Sequence, residues 1–145
     1  MNGGRPGRRV AVWAVDLLDR WRGRGGDAMT AGGEPAPGDW LLTGTDRHGR
    51  PVRLVVKLDA LARDDQGLVI GRRRQIADLV IADASVSRRH ARLVRGDNGI
   101  AVIDLKSKRG TWADGTRLAP YAKPTPVAAG GSLRFGGVTL EVGRA

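Results

Sequence analysis

Gly71-Arg72, Ser87-Arg88-Arg89-His90 and Ser107-Lys108-Arg109-Gly110-Thr111-Trp112 punctuate the stretch from residue 71 to 112, and short apolar runs separate them. Arg, Ser and Lys are side chains that donate hydrogen bonds to an anionic oxygen without help from a metal. Set on turns between strands, they form the layout of a receptor rather than a reaction centre.

Working outward, the flanking runs carry a period of two. Gln66 to Arg72, Leu79 to Ile81, His90 to Arg95 and Ile100 to Leu105 read as short strands, and Asp97-Asn98-Gly99 closes the hairpin between the last two. Toward the start, Trp40 to Thr45 and Val52 to Leu58 flank Asp46-Arg47-His48-Gly49-Arg50. Val52, Leu54, Val56 and Leu58 fall on one side and Arg53 and Lys57 on the other, which predicts a hairpin with one buried face. Toward the end, Leu133 and Phe135 alternate, Gly136-Gly137 turns, and Val138, Leu140 and Val142 alternate against Thr139 and Glu141. Many short strands with Gly-bearing turns at close spacing predict an all-β antiparallel sandwich or barrel.

The first 38 residues differ. Val10, Trp13, Ala14, Leu17, Leu18 and Trp21 recur at helical spacing, with Asp16, Asp19 and Arg20 off the stripe, so a short amphipathic helix is expected there. Asp16 cuts the apolar run short of a signal peptide, and no membrane span is expected. From Gly23 to Gly38 the composition turns to Gly, Ala and Pro, which predicts a flexible linker with no regular element. The division is thus residues 1–38, helix and linker, and residues 39–145, one folded domain.

With 145 residues and 41% hydrophobic content there is material for one core. The absence of cysteine leaves the fold to packing alone and fits a reducing cytoplasm. A net charge of +10 attracts anions of any kind. Aromatics at 4%, with one Tyr and one Phe, are too few for base-stacking platforms, so nucleic acid is not an expected partner. Neither a metal-ligand cluster nor a Gly-rich nucleotide loop of the G-x-x-x-x-G-K type is present, and no cofactor, metal or small-molecule substrate is expected. Ser87 and His90 stand three residues apart, but on turn and strand such positions project to opposite sides, which does not suit a nucleophile and its base. No enzymatic activity is expected.

From about Asp39 to the end the chain resembles the forkhead-associated (FHA) domain, on the three separated motifs Gly71-Arg72, Ser87 to His90, and Ser107 to Trp112. The resemblance implies a β-sandwich of some eleven strands that binds phosphothreonine in a partner protein or peptide through loops gathered at one end. It implies phosphate contacts from Arg72, after a flexible Gly71, from the Ser87 hydroxyl and from Lys108. It makes His90, with Gly71 and Gly110, part of the loop architecture rather than a ligand contact, and Asp114-Gly115 a structural type I′ turn. Where the family usually has an Asn that grips the peptide backbone, this chain has Arg109. Arg only donates hydrogen bonds, so Arg109 implies a weaker backbone grip or a taste for acidic neighbours of the phosphothreonine. Arg88 is a further expected peptide contact. The reading that follows is a small cytoplasmic phosphothreonine-binding adaptor in Ser/Thr-kinase signalling. Two alternatives stand beside it: a phospho-independent assembly module with a degenerate phosphate pocket, and a basic nucleic-acid-binding protein.

Overall fold

A computed structural model describes residues 29–63, 65–97 and 99–145; the amphipathic stripe from Val10 to Trp21 lies outside the described residues. In chain order the first strands are β1 (Met29–Ala31), β2 (Trp40–Thr45), β3 (Pro51–Val56), β4 (Leu68–Gly71), β5 (Leu79–Val80) and β6 (Ala91–Gly96). They are followed by β7 (Gly99–Asp104), β8 (Thr111–Ala113), β9 (Thr116–Arg117), β10 (Thr125–Val127), β11 (Ser132–Phe135) and β12 (Val138–Arg144). One short helix, α1 (Leu58–Arg63), joins β3 to β4.

Two sheets result, ordered β1-β3-β2-β12-β11-β8-β9 and β10-β7-β6-β4-β5. Leu42, Leu54, Ile70, Leu93, Val102, Phe135 and Leu140, none exposed to solvent, belong to the single large cluster that the sheets share. Burial of each such side chain contributes about 1.5–3 kcal/mol. Strand β12 shows the cause most directly: Val138, Leu140 and Val142 turn inward while Thr139 and Glu141 face solvent. All pairings within the sheets are antiparallel except β1 with β3 and β4 with β5.

Three local expectations are corrected. Residues 23–38 do contain a regular element, because Met29–Ala31 pairs with Val52 to Leu54 as β1. Beyond it, Gly32 lies so close to β3 that a β-carbon would meet the Val55 carbonyl oxygen at 1.9 Å. Next, β3 has no solvent face. Val55 packs with Leu41 and Ala145 on the outer side of the sheet, and Arg53 is 3% exposed. Strand β3 also ends at Val56, and Leu58, 44% exposed, opens α1 instead of continuing the alternation. The Leu58 amide, one of the donors a helix start leaves unpaired, is accepted by Asp39 Oδ1 at 3.0 Å. The strands number twelve among the described residues, in keeping with the eleven or so expected.

The register brings the turns to one end. Ile70 at the end of β4 lies opposite Ala91 at the start of β6, Ala91 opposite Asp104 at the end of β7, and Thr111 at the start of β8 opposite Phe135 at the end of β11. Thr139 at the start of β12 lies opposite Thr45 at the end of β2. Segments 72–78, 82–90, 105–110 and 136–137 and the β2–β3 turn therefore share one edge of the sandwich.

Candidate functional site

Two of these turns, 72–78 and 82–90, are locked together through the backbone. The Arg72 amide donates to the Ser87 carbonyl at 2.9 Å, and the Arg73 amide to the Arg88 carbonyl at 3.3 Å. Gly71 makes this closeness possible, since a β-carbon there would stand 2.1 Å from the Arg88 carbonyl oxygen. Its value is the close approach of two segments of the chain rather than the conformational flexibility expected of it.

His90 is wholly buried and joins two turns. The Ser87 amide donates to its Nδ1 at 2.9 Å, and its Nε2 lies 2.8 Å from the Gly110 carbonyl oxygen. An amide can only donate, so Nδ1 is the bare nitrogen and Nε2–H donates to Gly110. Burial holds the imidazole below its ordinary pKa, against the opposing pull of the Gly110 carbonyl and the Asp104 charge. The ring stands edge-on to Phe135, 5.8 Å between centroids. Both nitrogens being committed to backbone groups, His90 is not arranged as a base for Ser87.

Two buried carboxylates, neither anticipated from the sequence, organise the remaining turns. Asp104 accepts from Ser107 Oγ at 2.5 Å, Thr111 Oγ1 at 2.6 Å and the Ser107 amide at 3.2 Å. Ser107 Oγ in turn accepts from the Gly110 amide at 3.0 Å, and Gly110 has a φ of +97°, where glycine is favoured. Asp83 accepts from Ser85 Oγ at 2.6 Å, the Ser85 amide at 2.8 Å and Arg47 Nε at 3.0 Å. Burial by itself would raise its pKa, but the Ser85 bonds and Arg47 outweigh it and lower the carboxyl to about 2. Ser85 is therefore the serine that caps the turn after Asp83. The only sequence signal for these anchors was the short spacing of Asp to Ser, Asp83 to Ser85 and Asp104 to Ser107, a local-turn pattern.

Ser87 Oγ accepts from the Lys108 amide at 3.0 Å. Its hydroxyl proton has no acceptor among the described residues. Arg72 uses Nε to reach the Val86 carbonyl at 2.9 Å, which fixes the guanidinium and leaves its terminal nitrogens available. Arg72, Ser87, Arg88, Lys108 and Arg109 all line one groove of about 780 Å³. Gly71, His90 and Gly110 lie beneath that groove and do not line it. Seven of its twelve lining residues are Arg or Lys and none is acidic, the added cations being Arg73, Arg89 and Lys106. Among the described residues no carboxylate pairs with any of the seven. The arrangement can bind an oxyanion with directed donors in an excess of positive charge.

No group of three or more His, Cys, Asp or Glu among the described residues could hold a metal, and no helix among them is long and apolar enough to cross a membrane. His48, on the β2–β3 turn, is exposed.

Residues 68–136, which carry all three motifs and the groove, match the FHA domain family. The chain carries an FHA domain. It is similar to the FHA domain of a Chlamydia trachomatis protein, with a TM-score of 0.56 and 23% identity over 72% of this chain and 95% of that one. It is also similar to the N-terminal FHA domain of an S. cerevisiae protein in complex with a phosphothreonine peptide, with a TM-score of 0.54 and 15% identity over 74% of this chain and 94% of that one. At these identities the likeness concerns the fold. In sequence it is 41% identical over 110 residues to a homologue of a protein phosphatase 1 regulatory inhibitor subunit from Arabidopsis thaliana. That alignment covers 71% of this chain and 28% of the relative, so the chain spans under a third of that protein's length. The FHA domain is a phosphothreonine-binding module, and the β-sandwich described above is its fold.

Proposed function

We propose that the protein is a non-catalytic receptor for a phosphothreonine segment of a partner protein and acts as a small cytoplasmic adaptor in Ser/Thr-kinase signalling. One observation carries this reading: the terminal nitrogens of Arg72, the free hydroxyl proton of Ser87 and the Lys108 ammonium share one groove that has no acidic lining residue. Arg72, Ser87 and Lys108 hold the phosphate, while Arg88 and Arg109 contact the flanking peptide. His90, Gly71 and Gly110 position the loops from beneath. The binding unit is residues 39–145, with β1 laid along it from the preceding segment. The relative named for phosphatase 1 regulation supports a setting in which Ser/Thr phosphorylation is read.

A phosphothreonine brings about −1.5 to −2 charges at neutral pH, and each hydrogen bond to a charged group contributes about 1.5–3 kcal/mol. Two or three such bonds separate bound from unbound, which suits a reversible switch.

A degenerate phosphothreonine peptide library and its unphosphorylated twin, titrated against the wild type and Arg72→Ala, test the reading. Binding that requires both the phosphate and Arg72 is expected. Equal binding of the two libraries would favour a phospho-independent assembly module, and binding of neither would remove the receptor reading.

A further inference from the structure

The cationic surface continues past the Lys108–Arg109 turn. A second hollow of about 460 Å³ adjoins the groove there and shares Ser85, Lys108 and Arg109 with it. The charged part of its lining is Arg47, Lys108, Arg109, Arg117 and Arg134, and no carboxylate lines it. Four strands or turns supply these residues: the β2–β3 turn, the 105–110 turn, β9 and β11.

Three of the guanidiniums are held in place by groups that leave donors over. Arg134 stacks on Trp112 at 4.2 Å and donates from Nε to the Gly136 carbonyl at 2.7 Å. Arg117 lies over the same ring at 5.2 Å, and Gly110 leaves it room, since a β-carbon there would stand 2.9 Å from Arg117 Nε. Arg47 is tied through Nε to Asp83, and a β-carbon at Gly137 would meet its Cδ at 2.5 Å. Among the described residues no carboxylate pairs with Arg109, Arg117 or Arg134. Positive charges gathered on one hollow repel one another; the Trp112 face and the Gly136 carbonyl keep Arg117 and Arg134 there without supplying a counter-ion, while Arg47 has one in Asp83.

We propose that this hollow receives a second phosphoryl group, carried on the same peptide as the phosphothreonine in the main groove. The proposal rests on the phosphothreonine reading above and extends it from a single phosphate to a doubly phosphorylated ligand. Phosphate suits the lining better than a carboxylate does. It is close to a dianion with three acceptor oxygens, and the planar forks of several arginines engage it bidentately. A carboxylate offers one charge and two oxygens to the same five cations.

The test is calorimetric titration of the full chain with a phosphothreonine peptide, with peptides carrying a second phosphate at successive positions on either side, and with the same series bearing Glu instead. It is repeated on Arg117→Gln/Arg134→Gln, and on Arg95→Gln, an exposed cation near the β6–β7 hairpin end away from the groove. At one spacing the second phosphate is expected to tighten binding about tenfold or more, and Glu to give little of that gain. The double variant should lose the gain, keep the affinity for the singly phosphorylated peptide, and so report its own integrity; Arg95→Gln should keep both. Should the double variant fail to fold, Arg117→Gln alone is read and should lose part of the gain. Singly phosphorylated binding with no gain at any spacing, a gain matched by Glu, or a gain untouched by the Arg117 and Arg134 changes would overturn the second pocket alone. Failure of every phosphopeptide to bind would overturn the receptor reading with it.

Discussion

At the loop end of the sandwich, the inward and outward sides of the same turns differ in burial, charge and bonding. Inside, Asp83, Asp104 and His90 are 2%, 2% and 0% exposed, and the turns' amides and hydroxyls converge on them. Outside, Arg72, Arg88, Arg89, Lys108 and Arg109 are exposed and, among the described residues, have no carboxylate partner. The inner side resembles a domain core with its polar groups satisfied; the outer side holds like charges together with nothing to neutralise them. The difference teaches a division of labour. Stability is invested in shaping the turns, so that ligand binding need not order them, and affinity is left to side chains that the fold does not require.

The largest effect should come from breaking the inner side. Asp104→Ala removes the acceptor of two hydroxyls and one amide and is expected to destabilise by about 3 kcal/mol, read by urea denaturation, and to lower phosphopeptide affinity as the 105–110 turn loosens. Breaking the outer side should do the reverse. Arg72→Ala leaves the unfolding midpoint within about 0.5 kcal/mol and weakens phosphopeptide binding by about 2 kcal/mol or more, read by calorimetry. If Arg72→Ala instead destabilises the fold as much as Asp104→Ala does, the two sides are not separable.

Acidification sharpens the contrast with a smaller effect. His90 has a folded pKa below its ordinary 6.5, so the unfolded chain takes up the proton first. Its contribution is complete above pH 6.5 and is lost as pH falls below that value. Asp83, lowered from 3.8 to about 2, contributes above pH 3.8 and loses its contribution between there and about pH 2. Two successive declines in the urea midpoint on acidification are expected, and His90→Gln should remove the first. The smallest effect belongs to Arg109→Asn. Restoring a side chain that both donates and accepts should tighten a singly phosphorylated peptide by a few-fold, about 1 kcal/mol or less. Unchanged or weaker binding would show that Arg109 acts through its charge.

The comparison also divides what was legible in the sequence from what was not. Strand alternation was clear in β12, and Asp114-Gly115 announced its turn, with φ of +49° and +83° as a type I′ turn requires. The outer-side residues stood in three short motifs, because a turn presents consecutive residues to one groove. The inner anchors were not legible as such. Asp104 and Asp83 read as ordinary turn carboxylates, and their importance comes from partners such as Thr111 and Arg47, which only the folded topology brings near. Helix α1 was lost for a related reason: Leu58 continued the apolar alternation of β3, and nothing local revealed that Asp39 would cap its amide from nineteen residues away. Strand β1 escaped because a Gly- and Pro-rich context argues against regular structure, whereas three residues need only a free edge of β3 to pair.

The measurement that tests the central claim most directly is a ¹⁵N–¹H NMR titration of the wild type with a phosphothreonine peptide. A preformed receptor predicts shift changes at Arg72, Ser87, Arg88, Lys108 and Arg109. The buried His90 ring should keep the same tautomer throughout, and α1 and the β6–β7 hairpin end should stay still. Shift changes centred on α1 or the far hairpin, or turns that become ordered only when peptide is added, would contradict it.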